Sequence, residues 1–90
     1  MAIDVIKKHG KDLQTAQQVA DDLASDLADK FGVNYHWDGD TIIFDRMGVT
    51  GEIDVNEEVV HVRAQLGFLL SYLEPAVEKE VNRYLDEHFV

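Results

Sequence analysis

From Val33 to Phe68 the chain alternates apolar and polar residues with a period of two, interrupted at three short breaks. Val33, Tyr35 and Trp37 form the first run, and Ile42 and Phe44 the second. Val49, Gly51, Ile53 and Val55 follow, then Val60, Val62, Ala64, Leu66 and Phe68. Alternation of this kind sends successive side chains to opposite faces of a sheet and is incompatible with a helix. The breaks carry turn chemistry: Asp38–Gly39, Met47–Gly48 and the stretch Asn56–Val59. Asp-Gly between alternating runs is a strong two-residue hairpin signal.

The three turns constrain one another. A loop at Asp38–Gly39 predicts Trp37 opposite Asp40, Tyr35 opposite Ile42 and Val33 opposite Phe44. A loop at Met47–Gly48 sets Phe44 opposite Gly51 and Ile42 opposite Ile53. The third break then sets Gly51 opposite Ala64 and Ile53 opposite Val62. All of these apolar residues fall on one face. A one-residue slip at any turn would scatter them over both, so the pattern specifies a four-stranded antiparallel meander.

Helical periods flank the meander. Near-alternation in AIDVIK predicts a first short strand with Ile3 and Val5 on one side, ended by Gly10. Leu13, Ala16, Ala20, Leu23, Ala24, Leu27 and Phe31 then recur at helical spacing, opposite Asp21, Asp22, Asp26 and Asp29. Asp12 is placed to cap this helix, Lys30 lies in its last turn and Gly32 can stop it. Near the C-terminus, Leu73, Val77, Val81, Tyr84, Leu85 and His88 mark a second amphipathic helix. Ser71 and Glu74 have capping-box spacing, while Pro75 favours a start near Leu73 or Glu74. The expected fold is one domain over residues 1–90. It is a two-layer α+β arrangement, β-α-β-β-β-β-α, with an antiparallel sheet covered on one face by two helices. The first strand is expected beside the last, in the order 2-3-4-5-1, with pairing beside strand 2 as the alternative.

Composition narrows the function classes. Ninety residues can bury roughly 60% of their unfolded surface without a metal or disulfide. Absence of cysteine removes disulfides, thiolate metal sites and thiol nucleophiles and fits a reducing cytoplasm. Eighteen acidic residues against eight Lys and Arg give a formal charge of −10, which repels phosphate backbones and anionic lipid and speaks against nucleic-acid binding. No apolar run approaches a membrane span or a secretory signal.

The polar face of the meander offers little chemistry. The registers pair Glu52 with Arg63 and Asp54 with His61, cross-strand contacts worth roughly 0.2–1 kcal/mol each. They also put His36 and His61 in one row, three strands and roughly 14 Å apart at ~4.8 Å per strand, too far to share an ion. His9 follows the first strand, and His88 suits a helix C-terminus as a cation or a half-buried aromatic. Ser25 and Ser71 lie in no nucleophile elbow, Ser71 reading as a cap, and the glycines form no phosphate loop. Asp40 is directed by its register toward the apolar side beside Trp37. No enzyme, cofactor or metal is expected.

Two places invite binding. Gly51 and Ala64 are adjacent small residues in mid-sheet beside Phe44, which leaves either a close approach of the Ala16/Ala20/Ala24 helix edge or a concave apolar site for a small hydrophobic molecule. The stretch LGFLLSYLEP concentrates large apolar residues where the last strand leaves the sheet. Leu66 and Phe68 are expected to point inward and Gly67 to bend the chain. One or two of Leu69, Leu70 and Tyr72 are left as a candidate contact surface. Ile43 and Val59, with a free edge at strand 2, allow a monomer or a weak homodimer.

The order KFGVNYHWDGDTIIFDRMGVTGEIDV followed by VRAQLGFLLSYLEPAVEKEVNRYLDEHF resembles the small bacterial proteins of the polyhydroxyalkanoic acid system family. The likeness extends from the early KKHGKDLQTA to the terminal YLDEHF. It implies an accessory role in polyester storage, cytoplasmic and at the granule, with a granule component or granule-associated protein as partner. It implies no reaction, cofactor or catalytic residue. The element order also resembles a shortened helix-grip arrangement, whose larger relatives hold hydrophobic ligands between sheet and helix. The alternative implied function is therefore a carrier or sensor of an acyl ligand, with Phe44, Gly51 and Ala64 as its walls.

Overall fold

The computed structural model describes residues 2–89. Its elements are β1 (Ala2–Lys8), α1 (Leu13–Phe31), β2 (Asn34–Asp38), β3 (Thr41–Arg46), β4 (Val49–Val55) and β5 (Val59–Leu66). A 3-10 helix (Phe68–Leu73) and α2 (Glu74–His88) follow. The strands form one antiparallel sheet in the order β1-β5-β4-β3-β2, so the first strand does pair with the last. Both helices pack on the same face, the two-layer α+β arrangement that the sequence predicts.

The inner face is built in rows. Tyr35, Phe44, Gly51, Ala64 and Ile3 share one, and Trp37, Ile42, Ile53, Val62 and Val5 share the next. Ile3, Ile42, Ile53 and Val62 are buried there against Leu23 and Leu27 of α1 and Val81 and Leu85 of α2. Each such aliphatic side chain contributes roughly 1.5–3 kcal/mol by leaving water. Three alanines on α1, at 16, 20 and 24, are fully buried and let its backbone come close to the sheet. The helix is bounded as expected. Asp12 Oδ1 accepts the Thr15 N–H at 3.1 Å, and Gly32 takes φ +68° with its N–H on the Ala28 carbonyl at 2.9 Å. Trp37 Nε1 donates to Asp21 at 2.9 Å and ties the edge strand β2 to α1.

The first hairpin departs from the predicted register by two residues. Its loop is Gly39–Asp40, so Asp38 faces Thr41, Trp37 faces Ile42 and Tyr35 faces Phe44. A type I′ loop at Asp38–Gly39 would need positive φ at both residues. Only Gly39 has it, at +64°, and glycine as the first loop residue is the requirement of a type II′ turn. Asp40 consequently lies in the turn, where it accepts a 2.9 Å bond from Gln17, and not beside Trp37. The other two registers are as predicted: Phe44 faces Gly51, Ile42 faces Ile53, Gly51 faces Ala64 and Ile53 faces Val62.

A second departure follows Leu66. The chain does not continue as strand: Gly67 donates to the Gly48 carbonyl at 2.7 Å and the 3-10 helix begins at once. In a three-residue turn, positions i and i+3 share a face. Leu70 and Leu73 are thereby turned to the body of the molecule, while Leu69 and Tyr72 face out. Phe68, expected inward, is exposed for the same reason. Ser71 Oγ donates to the Phe68 carbonyl at 2.9 Å, so it does not cap α2, which starts at Glu74 with Pro75 in its first turn.

Candidate functional site

Four of the five large exposed apolar residues gather at one end, the fifth being Ile6 on the outer face of β1. Met47 (95% exposed) lies in the β3–β4 turn, and Phe68 (90%), Leu69 (83%) and Tyr72 (73%) lie on the 3-10 helix. Two contacts dock these segments together, the Gly67–Gly48 hydrogen bond and the seat of Leu70 on Gly48. Of the contact residues predicted from sequence, Leu69 and Tyr72 are on the surface and Leu70 is half-buried beneath it. Phe68 and Met47 are additions. A three-residue period starting after Gly67 is the signal that would have exposed Phe68.

Behind this end lies a cavity of about 50 Å³ between sheet and helices. Phe44, Gly51 and Ala64 line it, with Ile3, Leu27 and Val81 deeper and Phe31, Val49, Leu73 and Val77 half-buried around them. Gly51 itself has no room for a side chain, since a Cβ would come within 3.1 Å of the Arg63 carbonyl oxygen and 3.3 Å of Ala64 Cβ. The lining is apolar apart from Arg46 and Arg63. Arg46 closes one wall, its Nη1 donating to the Phe31 carbonyl at the end of α1 at 2.7 Å. Strand parity places Arg46 on the inner face with Ile42 and Phe44, a signal present in the sequence and unused in the prediction.

The outer face is polar and internally paired. Arg63 bonds Asp54 and lies 3.1 Å from Glu52, Thr41 Oγ1 donates to Asp54 at 2.6 Å, and His61 shares a 2.6 Å hydrogen bond with Asp4. The two-residue offset of the first hairpin separates His36 from the His61 row: His36 aligns with Ile43, Glu52, Arg63 and Asp4, and His61 with Asp54, Thr41 and Asp38. Among the described residues, no three His, Asp or Glu side chains are grouped to hold a metal ion.

The remaining imidazoles serve packing. His9 is buried, with Nδ1 accepting the Lys11 N–H at 3.0 Å. That leaves Nε2 to donate to the Asn56 carbonyl at 2.7 Å, and the ring meets Phe89. His88 is exposed, stacked on Tyr84 and bonded to the Tyr84 carbonyl. Burial, with Asp22 and Asp26 adding to it, raises the Tyr84 phenol above its ordinary value. At the surface, a bond from Lys30 holds the Glu80 carboxyl below the usual range and in turn raises Lys30.

An open-faced α+β domain with an apolar end and a small lipophilic cavity behind it is the class these features define. The particular family follows from the sequence match: a family model described as "putative polyhydroxyalkanoic acid system protein" covers residues 3–89, and the chain belongs to that family. No curated protein and no solved structure matches the chain at a significant level. No helix among the described residues is long and apolar enough to cross a membrane.

Proposed function

We propose that the protein is a non-enzymatic accessory of polyhydroxyalkanoate storage that docks on the polyester surface of the granule through Met47, Phe68, Leu69 and Tyr72. The observation that supports this most directly is the concentration of these four side chains on two mutually docked segments of a chain that is otherwise acidic. Contiguous exposed apolar patches on small soluble domains mark contact surfaces. An uncharged polymer suits a chain of charge −10 better than an anionic lipid would. Family membership supplies the storage context.

Co-sedimentation tests it with two substrates, native granules and protein-free polyester particles. The wild type is expected to pellet with both, and the Leu69→Asp/Tyr72→Asp double variant, whose altered side chains touch nothing in the core, to stay in the supernatant at roughly tenfold lower recovery. Equal pelleting of the two proteins would remove the surface from the reading. Binding to native granules alone would replace polymer with a granule protein as the partner.

A further inference from the structure

We infer that the interior cavity and Arg46 together form a binding site for a short-chain carboxylic acid, with its alkyl end beside Gly51 and Ala64 and its carboxylate on the Arg46 guanidinium. The cavity sets the tail. At about 50 Å³ it exceeds one water's ~30 Å³ share of the liquid, yet its side-chain walls offer a water no set of polar partners. An apolar group of one or two carbons fits that space and that lining. Arg63, the other arginine at the wall, directs its side chain to the outer face and its acids.

Arg46 sets the head. Lys7, Lys30, Arg63 and Arg83 each have a carboxylate within 4 Å, whereas Arg46 has none among the described residues. Lys8, Lys11 and Lys79 share this lack among the described residues, but none of them lines the cavity, whereas Arg46 stands at the rim of the apolar space. Its bond to Phe31 uses one N–H of five, so a fork of donors is left for a carboxylate. The strand sets the scale: Arg46 is two residues beyond Phe44, which faces Gly51, so their backbones lie roughly 7 Å apart at ~3.4 Å per residue, and short-chain acids are the class to test.

Amide correlation spectra of the full chain, titrated with butyrate, hexanoate and hexanol, test the site. Hexanoate is expected to shift Gly51, Ala64 and Val77 saturably in the wild type, and to bind about tenfold more weakly to Arg46→Gln, while hexanol binds both alike. Arg46 is exposed, so this variant is expected to fold. Absence of saturable shifts at Gly51 and Ala64 overturns the site, and undiminished hexanoate binding by Arg46→Gln overturns the assignment of an acid. The Leu69→Asp/Tyr72→Asp protein should keep the hexanoate shifts, which separates this site from the granule contact.

Discussion

Gly48 answers two demands at once. Its φ of +84° lies in the region that L side chains avoid, and a Cβ there would stand 3.0 Å from Leu70 Cδ1. Replacing it by alanine is expected to cost about 1–2 kcal/mol from the backbone alone, read as a lower urea midpoint, and to loosen the 3-10 helix that Leu70 anchors. Wild-type stability in Gly48→Ala would mean that the turn and the 3-10 helix are not coupled. Deep in the core, Ile53→Ala should cost more, about 2–5 kcal/mol, because the site is fully enclosed. Sequence reading succeeds for residues like Ile53, whose environment follows from strand parity. It missed His9 and Phe89, because their burial depends on each other and on the Asn56 loop, which are remote in sequence. Arg46 lay within reach of parity, and its charge concealed it among expected surface residues.

At the level of elements, hydrophobic alternation determines which face a residue occupies and is blind to a slip of two. The first hairpin therefore kept every predicted inward apolar residue inward, and lost only Asp40 to the turn, while its loop moved from Asp38–Gly39 to Gly39–Asp40. The second and third registers survived because each is fixed by neighbours on both sides. The 3-10 helix was illegible for a related reason: six residues with apolar groups at most positions suit strand, helix or turn. The link between helices is more specific. Lys30 at the end of α1 reaches Glu80 of α2 at 2.8 Å, and Arg83 also bonds Glu80. With the Glu80 carboxyl held below its ordinary value, chiefly by Lys30, the unfolded chain binds more protons in mild acid. The pair's stabilisation is thus complete above the ordinary carboxylate range and disappears as pH falls through the lower folded value. On the alkaline side Lys30, raised by the same bond, loses its share only as pH climbs past the ordinary lysine value. Glu80→Gln is expected to flatten the acid limb of stability against pH, measured by denaturant titration at several pH values. An unchanged limb would show that the bridge carries no free energy.

For the molecule as a whole, the acidic surface and the apolar end act against each other. At neutral pH a charge of −10 separates the copies, and four exposed side chains alone bury too little area for a stable dimer. The chain is therefore expected to be monomeric in dilute neutral buffer and free to present its apolar end to a surface. As pH approaches the isoelectric value near 4.5, the repulsion vanishes and the apolar ends become the preferred contact. Light scattering between pH 7 and 5 should show the apparent mass of the wild type rising toward twice the monomer, whereas Phe68→Ser/Leu69→Ser stays monomeric across the same range. The uncovered outer face of the sheet and the β2 edge are the competing surfaces, and both are untouched in that variant. If the variant associates as readily as the wild type, the sheet and not the 3-10 helix is where two copies meet, and the apolar end loses its claim to be the stickiest part of the protein.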